Sequence, residues 1–173
     1  TLPTQNPVAL VKKEKVTTHI ERILTKQEYQ NLLIASENSN LSFLKDIIQF
    51  AYTTAMRFGE ITKLEVKDID FEKSLARLRD TKNGEDRIVP LTDEAVTICL
   101  RYRFRNKLFE IKRDKFRHYF EQACRKANIN NFRFHDLRAC AITNLFLKGW
   151  SIAEVSVVSG HKTWSELKRY TRI

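Results

Sequence analysis

The hydrophobic pattern of this chain changes near its middle, and that change limits the folds open to it. On both sides of residues 69–91, apolar side chains recur every three or four residues, as on one face of a helix. Within that stretch they form two short alternating runs, 75–79 and 87–91, which flank a turn-rich segment containing Lys82 and Gly84. We therefore predict an α+β domain that is mainly α-helical and has a small antiparallel β-sheet at about residues 69–91.

Several helices carry recognisable start and stop signals. Thr25 and Ser151 are each followed three residues later by glutamate, which is the spacing of a capping box. Thr92 is a further N-cap candidate, and Gly149 is expected to end the helix that precedes it. These signals and the helical periodicity predict helices at about 26–36, 41–56, 93–105, 113–127 and 135–148, a short helical turn at 61–66, a helix that begins at Ser151, and a short helix that carries Tyr170.

The chain is strongly basic, and the excess charge is concentrated in its second half. Its 31 Lys and Arg residues outnumber 21 Asp and Glu residues, which gives a formal net charge of +10. Residues 91–173 hold 17 of these basic and 8 of these acidic side chains. Because phosphate neutralisation supplies most sequence-independent affinity for nucleic acids, this asymmetry favours a nucleic-acid partner over a merely soluble basic surface.

Cysteine usage and hydropathy bear on the compartment in which the chain acts. Its three cysteines are an odd number without Cys-x-x-Cys spacing, which argues against a disulfide framework or a zinc ribbon and indicates a reducing compartment. No apolar run approaches the roughly 20 residues that a membrane-spanning helix needs. We therefore expect a cytoplasmic protein that has no membrane partner.

Four polar side chains in the last forty residues have the chemistry to act on a phosphodiester. His135 and Arg138 are three residues apart, so on a helix they share one face. A guanidinium suits phosphate because it donates two parallel hydrogen bonds and stays charged. His135 and His161 can transfer protons, and Tyr170 can supply an oxygen nucleophile. These side chains form no obvious metal cage. We expect no metal site and no cofactor.

This set resembles the catalytic half of the tyrosine recombinases, or phage-type integrases. In that family a His-x-x-Arg pair, a Gly-His pair and a nucleophilic tyrosine follow one another as His135, Arg138, His161 and Tyr170 do here. The resemblance extends over nearly the whole chain from about residue 20. It assigns two earlier motifs, Thr54-Ala55-Met56-Arg57-Phe58-Gly59-Glu60, which ends a helix, and Lys82 on a hairpin before Val89-Pro90-Leu91. The chain departs from the family pattern at Ala55, usually glycine, at Ala139-Cys140, commonly His-Thr, at Ser159, often leucine, and at Arg172, often histidine.

Each matched residue has an expected role. Charge builds on the non-bridging oxygens during in-line attack, so Arg57 and Arg138 are expected to stabilise the transition state. Glu60 is expected to pair with Arg57 and orient it. The resemblance implies the remaining roles: Tyr170 is the nucleophile, His135 its base, Lys82 the acid that protonates the departing 5′-oxygen, and His161 a donor to a phosphate oxygen.

The resemblance also implies the setting of the reaction. It predicts a site-specific recombinase or integrase of a prokaryote or phage that forms a 3′-phosphotyrosine intermediate without a metal. Because this link retains the energy of the broken phosphodiester, rejoining needs no ATP. Expected partners are double-stranded DNA, three further copies in a homotetramer on synapsed sites, and an accessory DNA-bending or directionality factor. Residues 1–20 are expected to be a linker arm from an absent N-terminal DNA-binding domain, and residues 21–173 a catalytic domain whose C-terminal tail is truncated.

Three other functions remain open at the level of sequence. A type IB topoisomerase shares this chemistry but rejoins the original strand. A non-catalytic DNA-binding protein could use the helices on either side of Gly149 as a helix-turn-helix. A metal nuclease built on Glu60, Asp68 and Asp70 fits less well, because these carboxylates lack matching histidine or aspartate partners.

Overall fold

The computed structural model describes residues 22–79 and 86–171, which fold into helices around one small sheet. Expectations that concern residues 1–20 or Lys82 fall outside these ranges. The helices are α1 (Lys26–Glu37), α2 (Leu44–Thr54), α3 (Phe58–Lys63), α4 (Asp93–Arg101), α5 (Arg113–Lys126), α6 (Asp136–Leu147), α7 (Ile152–Ser159) and α8 (Trp164–Leu167), with 3-10 turns at Val66–Asp68 and Lys168–Tyr170. The strands are β1 (Ile69–Asp70), β2 (Leu75–Leu78) and β3 (Arg87–Pro90). The predicted α+β class is confirmed.

The three strands form an antiparallel sheet in the order β1-β2-β3. Ala76 lies opposite Ile69 on one side and opposite Val89 on the other. All three side chains are buried, so the sheet packs one apolar face against the helices. The strands fall within the predicted 69–91 stretch.

The predicted helix starts at Thr25, Thr92 and Ser151 are confirmed. Each side chain accepts a hydrogen bond from a backbone N–H three residues later. Both predicted capping boxes are complete, because Glu28 and Glu154 return a hydrogen bond to the cap backbone. Local side-chain chemistry therefore set these boundaries, as the sequence indicated.

Two predicted boundaries and the position of one helix are wrong. α2 begins at Leu44 rather than 41, because the Ser39 hydroxyl accepts from the Leu41 N–H and holds a turn there. α4 ends at Arg101 rather than 105, because Tyr102 leaves the helix to donate to Asp46 of α2 over 2.5 Å. The turn expected at 61–66 is the helix Phe58–Lys63.

α6 is the central element of the fold. Its residues from Asp136 to Ile142 are all buried, and the helix packs against α2 and α7. On one side lies the main core, whose largest fully buried side chains include Phe50, Phe109, Leu32, Leu44, Ile47 and Ile48. On the other side lies a smaller cluster of Ala55, Ala139, Ala141, Ile142, Val155, Leu167 and Tyr170. The smaller cluster therefore brings the end of α2 and the C-terminal turn onto α6.

Across residues 22–79 and 86–171, every helix is too short or too polar to span a bilayer.

Candidate active site

Arg138 is buried at the start of α6 and joins three separate segments. The residue as a whole is only 3% exposed. Its Nη1 donates to the carbonyl oxygen of Ala55 over 2.7 Å, and its Nη2 donates to that of Ser159 over 2.6 Å. Burial, together with the nearby positive charge of Arg57, lowers the pKa of Arg138 to about 9. The guanidinium thus fixes the ends of α2 and α7 relative to α6.

Ala55 adopts a backbone conformation that glycine favours. It is the C-cap of α2 and has a φ of 55°, in the left-handed region. A residue with a Cβ is strained there, and the tyrosine recombinases usually have glycine at this position. The left-handed turn ends α2 next to Arg57 and leaves the Ala55 carbonyl as an acceptor for Arg138.

Arg57, Glu60 and Arg87 form one hydrogen-bonded ion network. Glu60 accepts from the Arg57 backbone N–H over 2.7 Å and from Arg57 Nη1 over 3.1 Å, so the predicted pair is confirmed. Arg87 adds a forked pair, with Nη1 to Oε1 at 2.6 Å and Nη2 to Oε2 at 3.0 Å. Burial favours the neutral acid, but the hydrogen bonds and charges of Arg87 and Arg57 outweigh it and hold the pKa of Glu60 below its usual range.

Sequence reasoning missed Arg87, although a signal for it was present. Arg87 and Val89 are two apart on β3, so they point to the same side of the strand. Val89 is fully buried. An arginine in register with a buried valine requires a carboxylate partner, and Glu60 provides it.

His161 is held in one tautomer by its neighbours. Its Nδ1 lies 2.7 Å from the Ser159 hydroxyl and 3.3 Å from Arg138 Nη2. Since a guanidinium can only donate, Nδ1 must accept, and the ring proton lies on Nε2. Burial and the charge of Arg138 lower the pKa of His161 to about 4, which keeps the ring neutral. Ser159, which departs from the family pattern, is therefore a polar partner of the histidine.

Tyr170 is docked beside His161. It ends the 3-10 turn Lys168–Tyr170, is only 7% exposed and belongs to the smaller apolar cluster. Its ring centroid lies 6.4 Å from that of His161, and the Arg169 guanidinium lies 4.8 Å from its ring. The sequence left the docking of this tyrosine open, and the structure places it in the core.

One large cleft collects the remaining predicted residues. Arg57, Glu60, His135 and Arg138 all line a cavity of about 1420 Å³. Exposed His135 and buried Arg138 both face it, as the three-residue spacing predicted. Arg138 also contacts His161, the neighbour of Tyr170, although neither His161 nor Tyr170 is among the residues that line the cleft. Five of the six predicted catalytic residues and Glu60 are placed, whereas Lys82 lies outside the described residues.

The cleft is strongly basic. Its lining contains ten Lys and Arg side chains, namely Arg57, Lys63, Lys67, Arg77, Arg79, Lys107, Arg113, Arg117, Arg133 and Arg138. Four carboxylates accompany them, Glu60, Glu65, Asp68 and Glu121. This balance produces a positive potential where a polyanion can enter.

The carboxylates proposed for a metal nuclease are engaged by cations. Glu60 pairs with two arginines, and Asp68 accepts from Arg79 Nε over 2.8 Å and from its Nη2 over 2.7 Å. Asp70 accepts from the backbone N–H of Lys73, whose ammonium lies 4.0 Å from Asp70 Oδ2. Within the described ranges, no three His, Cys, Asp or Glu side chains are grouped so that they could hold a metal ion.

Comparisons with known proteins agree with this geometry. The sequence profile of the phage integrase family matches residues 22–173. A shufflon-specific DNA recombinase of Escherichia coli is 36% identical over 171 residues, which cover 97% of this chain and 44% of that protein. Tyrosine recombinase XerA of Saccharolobus solfataricus is 33% identical over 75% of this chain and 45% of its own length. The chain therefore spans less than half the length of these two relatives.

Solved structures share the fold. The catalytic domain of bacteriophage HP1 integrase aligns with a TM-score of 0.74 at 23% identity, covering 87% of each chain. A lambda integrase dimer bound to a COC′ core site aligns with a TM-score of 0.75 at 20% identity, covering 98% of this chain and 53% of that one. The architecture is thus that of an integrase catalytic domain.

Proposed function

Because the chain belongs to the phage integrase family, we propose that it is the catalytic domain of a site-specific DNA recombinase that cleaves and rejoins strands through Tyr170. The observation that carries the proposal is the position of Arg138. One buried guanidinium lines the basic cleft, bonds to the turn before Arg57 and contacts His161 beside Tyr170. In this proposal a phosphate bound by Arg138 comes within reach of Tyr170, which is not itself among the residues that line the cleft.

The two arginines have complementary roles in this proposal. The three contacts of Arg138 occupy three of the five N–H groups of its guanidinium. The other two are the second N–H of Nη1 and the N–H of Nε. They have no hydrogen-bond partner among the described residues, so they are available for phosphate oxygens. Arg57 uses one Nη1 hydrogen bond to hold Glu60 and faces the cleft with the rest of its side chain. Both cations are fixed before substrate binds, which is how charge is stabilised at low reorganisation cost.

The proposed cleavage step exchanges one phosphate ester for another. The Tyr170 oxygen forms a bond to phosphorus while the bond to the departing 5′-oxygen breaks. The phenol proton passes to His135, and Lys82 protonates the 5′-oxygen. Because Nδ1 of His161 is an acceptor, its Nε2–H is the group that donates to a non-bridging oxygen. Reversal by a second 5′-hydroxyl completes strand exchange.

Double-stranded DNA is the proposed partner. The supporting observations are the ten basic side chains of the cleft and the DNA-bound state of the lambda integrase relative. A homotetramer on synapsed sites and an accessory DNA-bending or directionality factor belong to the same proposal, as do a linker role for residues 1–20 and a cytoplasmic site of action.

A non-catalytic helix-turn-helix accounts for fewer of these features. A recognition helix presents polar side chains to the major groove. Here the first half of α6 is buried in the core, and Val155 and Val158 of α7 are buried as well. The exposed residues of α7 are Ala153, Glu154 and Val157, and none of them is basic, so this face offers no cation to DNA.

A covalent trap tests the proposal. The full chain is incubated in EDTA with duplexes of randomised sequence that are nicked just 3′ of the scissile phosphate. On cleavage the short fragment that carries the 5′-hydroxyl diffuses away, so rejoining is blocked. We expect a denaturant-resistant adduct carrying the label of the 3′-phosphate strand. Tyr170→Phe abolishes it, whereas Tyr119→Phe, on α5 outside the cleft lining, preserves it. Tight binding without an adduct would refute catalysis.

A second assay separates the recombinase from a topoisomerase. Sequences recovered from adducts are placed on a supercoiled plasmid in one or two copies. A recombinase requires two copies and changes the arrangement of the DNA between them. Relaxation of the one-copy plasmid with no rearrangement of the two-copy plasmid would instead favour a type IB topoisomerase.

A further inference from the structure

Arg87 lies where two segments of the proposed site meet, the one that carries Glu60 and the one that carries Gly160. It begins β3, directly after the segment that contains Lys82. Its guanidinium pairs with Glu60, which in turn holds Arg57. The same guanidinium lies against Gly160, which precedes His161. Arg87 itself is not among the residues that line the cleft.

The contact with Glu60 is a buried forked ion pair. The side chains of Arg87 and Glu60 are 11% and 8% exposed. Two parallel hydrogen bonds of 2.6 and 3.0 Å fix the plane of the carboxylate. Arg57 bonds to the same two oxygens through its backbone and side chain. The orientation of Arg57 therefore depends on a carboxylate that Arg87 holds in place.

The contact with Gly160 leaves no room for a side chain. Gly160 has a φ of 68° and forms the left-handed C-cap of α7. A Cβ at this position would stand 2.8 Å from Arg87 Nη1 and 3.1 Å from its Cδ. Arg87 thus packs against the turn that aims His161 and the Ser159 carbonyl toward Arg138.

Stability is a poor explanation for this arrangement. Burying an ion pair costs about as much as the pair returns, and apolar residues of similar volume often do better. Arg87 Nε is also buried with no hydrogen-bond acceptor among the described residues, which adds to the cost. A costly pair at the junction of two site segments is better explained by what it positions.

We propose that Arg87 is a positioning residue for strand cleavage. It fixes Glu60, and through it Arg57, and it seats the Gly160 turn that carries His161. It acts through these neighbours, because it does not line the cleft where substrate binds. The inference rests on the proposed function for its catalytic consequence, but the positioning itself is measurable without DNA.

The chain contains a matched control for this test. Arg101 pairs with Asp46 over 2.5 Å, and the Asp46 side chain is 9% exposed, close to the value for Glu60. Each carboxylate keeps one further donor residue, Tyr102 for Asp46 and, through its backbone N–H and Nη1, Arg57 for Glu60. Arg101→Ala therefore removes an arginine from an equally buried carboxylate, outside the cleft lining.

Single-turnover adduct formation at saturating DNA gives the catalytic readout. We expect Arg87→Ala to slow it ~100-fold, the usual cost of misplacing reactive groups by about 1 Å. Arg87→Lys keeps the charge but cannot form the fork, so we expect a ~10-fold loss. We expect the DNA affinity of both Arg87 variants to stay within about 3-fold of wild type. The rate of adduct formation by Arg101→Ala should also stay within about 3-fold of wild type. We expect the double variant with Arg87→Ala and Glu60→Gln to be little slower than Arg87→Ala, because both substitutions disturb the same positioning of Arg57.

The DNA-free readout uses the nitrogen-15 NMR signals of the Arg57 side chain and the His161 ring. We expect Arg87→Ala and Arg87→Lys to shift both sets, and Arg101→Ala to shift neither. If wild type forms no adduct, the proposed function fails, while these signals still decide whether Arg87 positions its neighbours. Unshifted signals in a folded Arg87 variant, or a loss confined to DNA affinity, would overturn the inference.

Discussion

The guanidinium of Arg138 donates a hydrogen bond to the carbonyl oxygen of Ala55 over 2.7 Å, although 83 positions separate the two residues. This bond ties the first turn of α6 to the end of α2. Because Arg57 follows Ala55 by two residues, the bond also sets the distance between the two arginines of the proposed site. One buried side chain thus serves the fold and, in the proposed mechanism, the chemistry as well.

Arg138→Lys is expected to impair stability and cleavage together. A lysine cannot reach both carbonyls, so the oxygen of either Ala55 or Ser159 loses its partner. An unsatisfied buried acceptor costs about 1–3 kcal/mol in unfolding free energy. We expect a loss of that size in urea unfolding and a ~100-fold slower cleavage.

The control is Arg133→Lys, because Arg133 is an exposed residue that lines the same cleft. Its unfolding free energy is expected to change by less than about 0.5 kcal/mol. Equal stability of wild type and Arg138→Lys would contradict the structural role of the two hydrogen bonds.

Ala55→Gly is expected to be nearly neutral for stability. Glycine relieves the left-handed strain of about 1–2 kcal/mol. It also loses a buried methyl group worth about 0.8 kcal/mol and gains unfolded-state entropy of about 0.4–1 kcal/mol. The free energy of unfolding measured in urea should therefore change by less than about 1 kcal/mol in either direction.

Ala55→Val provides the contrast, because a β-branched residue at positive φ adds strain in a fully buried position. We expect Ala55→Val to lower the free energy of unfolding by more than about 2 kcal/mol. If both variants lost this much, the methyl packing rather than the backbone would dominate at Ala55.

His161 is expected to titrate well below its unfolded pKa of 6.5, at about 4. The unfolded chain then takes up a proton first as pH falls, so the contribution of His161 to stability is complete above pH 6.5. It is lost progressively as pH falls to about 4. His161→Gln should show a shallower decline in unfolding free energy over this range, and an equal slope would contradict the shift.

NMR of the His161 ring reports the tautomer directly. We expect the proton on Nε2 in the wild-type chain. Ser159→Ala removes the hydroxyl that lies 2.7 Å from Nδ1, so the pKa of His161 should rise, while burial and the charge of Arg138 keep it below 6.5. Ser156→Ala, whose hydroxyl bonds to Ala153 instead, is the matched control and should leave the pKa unchanged.

Gly160→Ala is expected to cost more than its backbone conformation alone requires. A left-handed alanine costs about 1–2 kcal/mol. The new Cβ would also displace the Arg87 guanidinium from Glu60. In an Arg87→Ala background the same substitution should cost only the backbone part. Additive losses in unfolding free energy for the double variant would show that the two residues do not interact.

Local signals accounted for much of the fold. The capping residues Thr25, Thr92 and Ser151 fixed three helix starts, and alternation fixed β2 and β3. These features depend on neighbours within four residues. The predicted end of α4 was wrong because Tyr102 bonds to Asp46, 56 positions away, and no local pattern reports such a contact.

The contacts of the proposed site also divide into those that local spacing predicted and those that it did not. The Arg57–Glu60 pair and the shared orientation of His135 and Arg138 follow from three-residue spacing. The partnership of Ser159 with His161 was hidden because a serine there stood out only as a departure from the family pattern. The register with buried Val89 marked Arg87 as facing inward, but its partner Glu60 lies 27 residues away, so the local pattern did not identify the contact. Tertiary packing, rather than local pattern, decides such contacts.

Identifying the amino acid that carries the DNA would decide whether this site cleaves as described. The trapped adduct is digested with nuclease and with a protease that cuts after Glu166, and the peptides are sequenced by tandem mass spectrometry. The predicted result is a residual nucleotide joined through a 3′-phosphate to Tyr170. DNA attached to any other side chain, or a 5′-phosphate linkage, would contradict the assignment of Tyr170 as the nucleophile held beside His161 and Arg138.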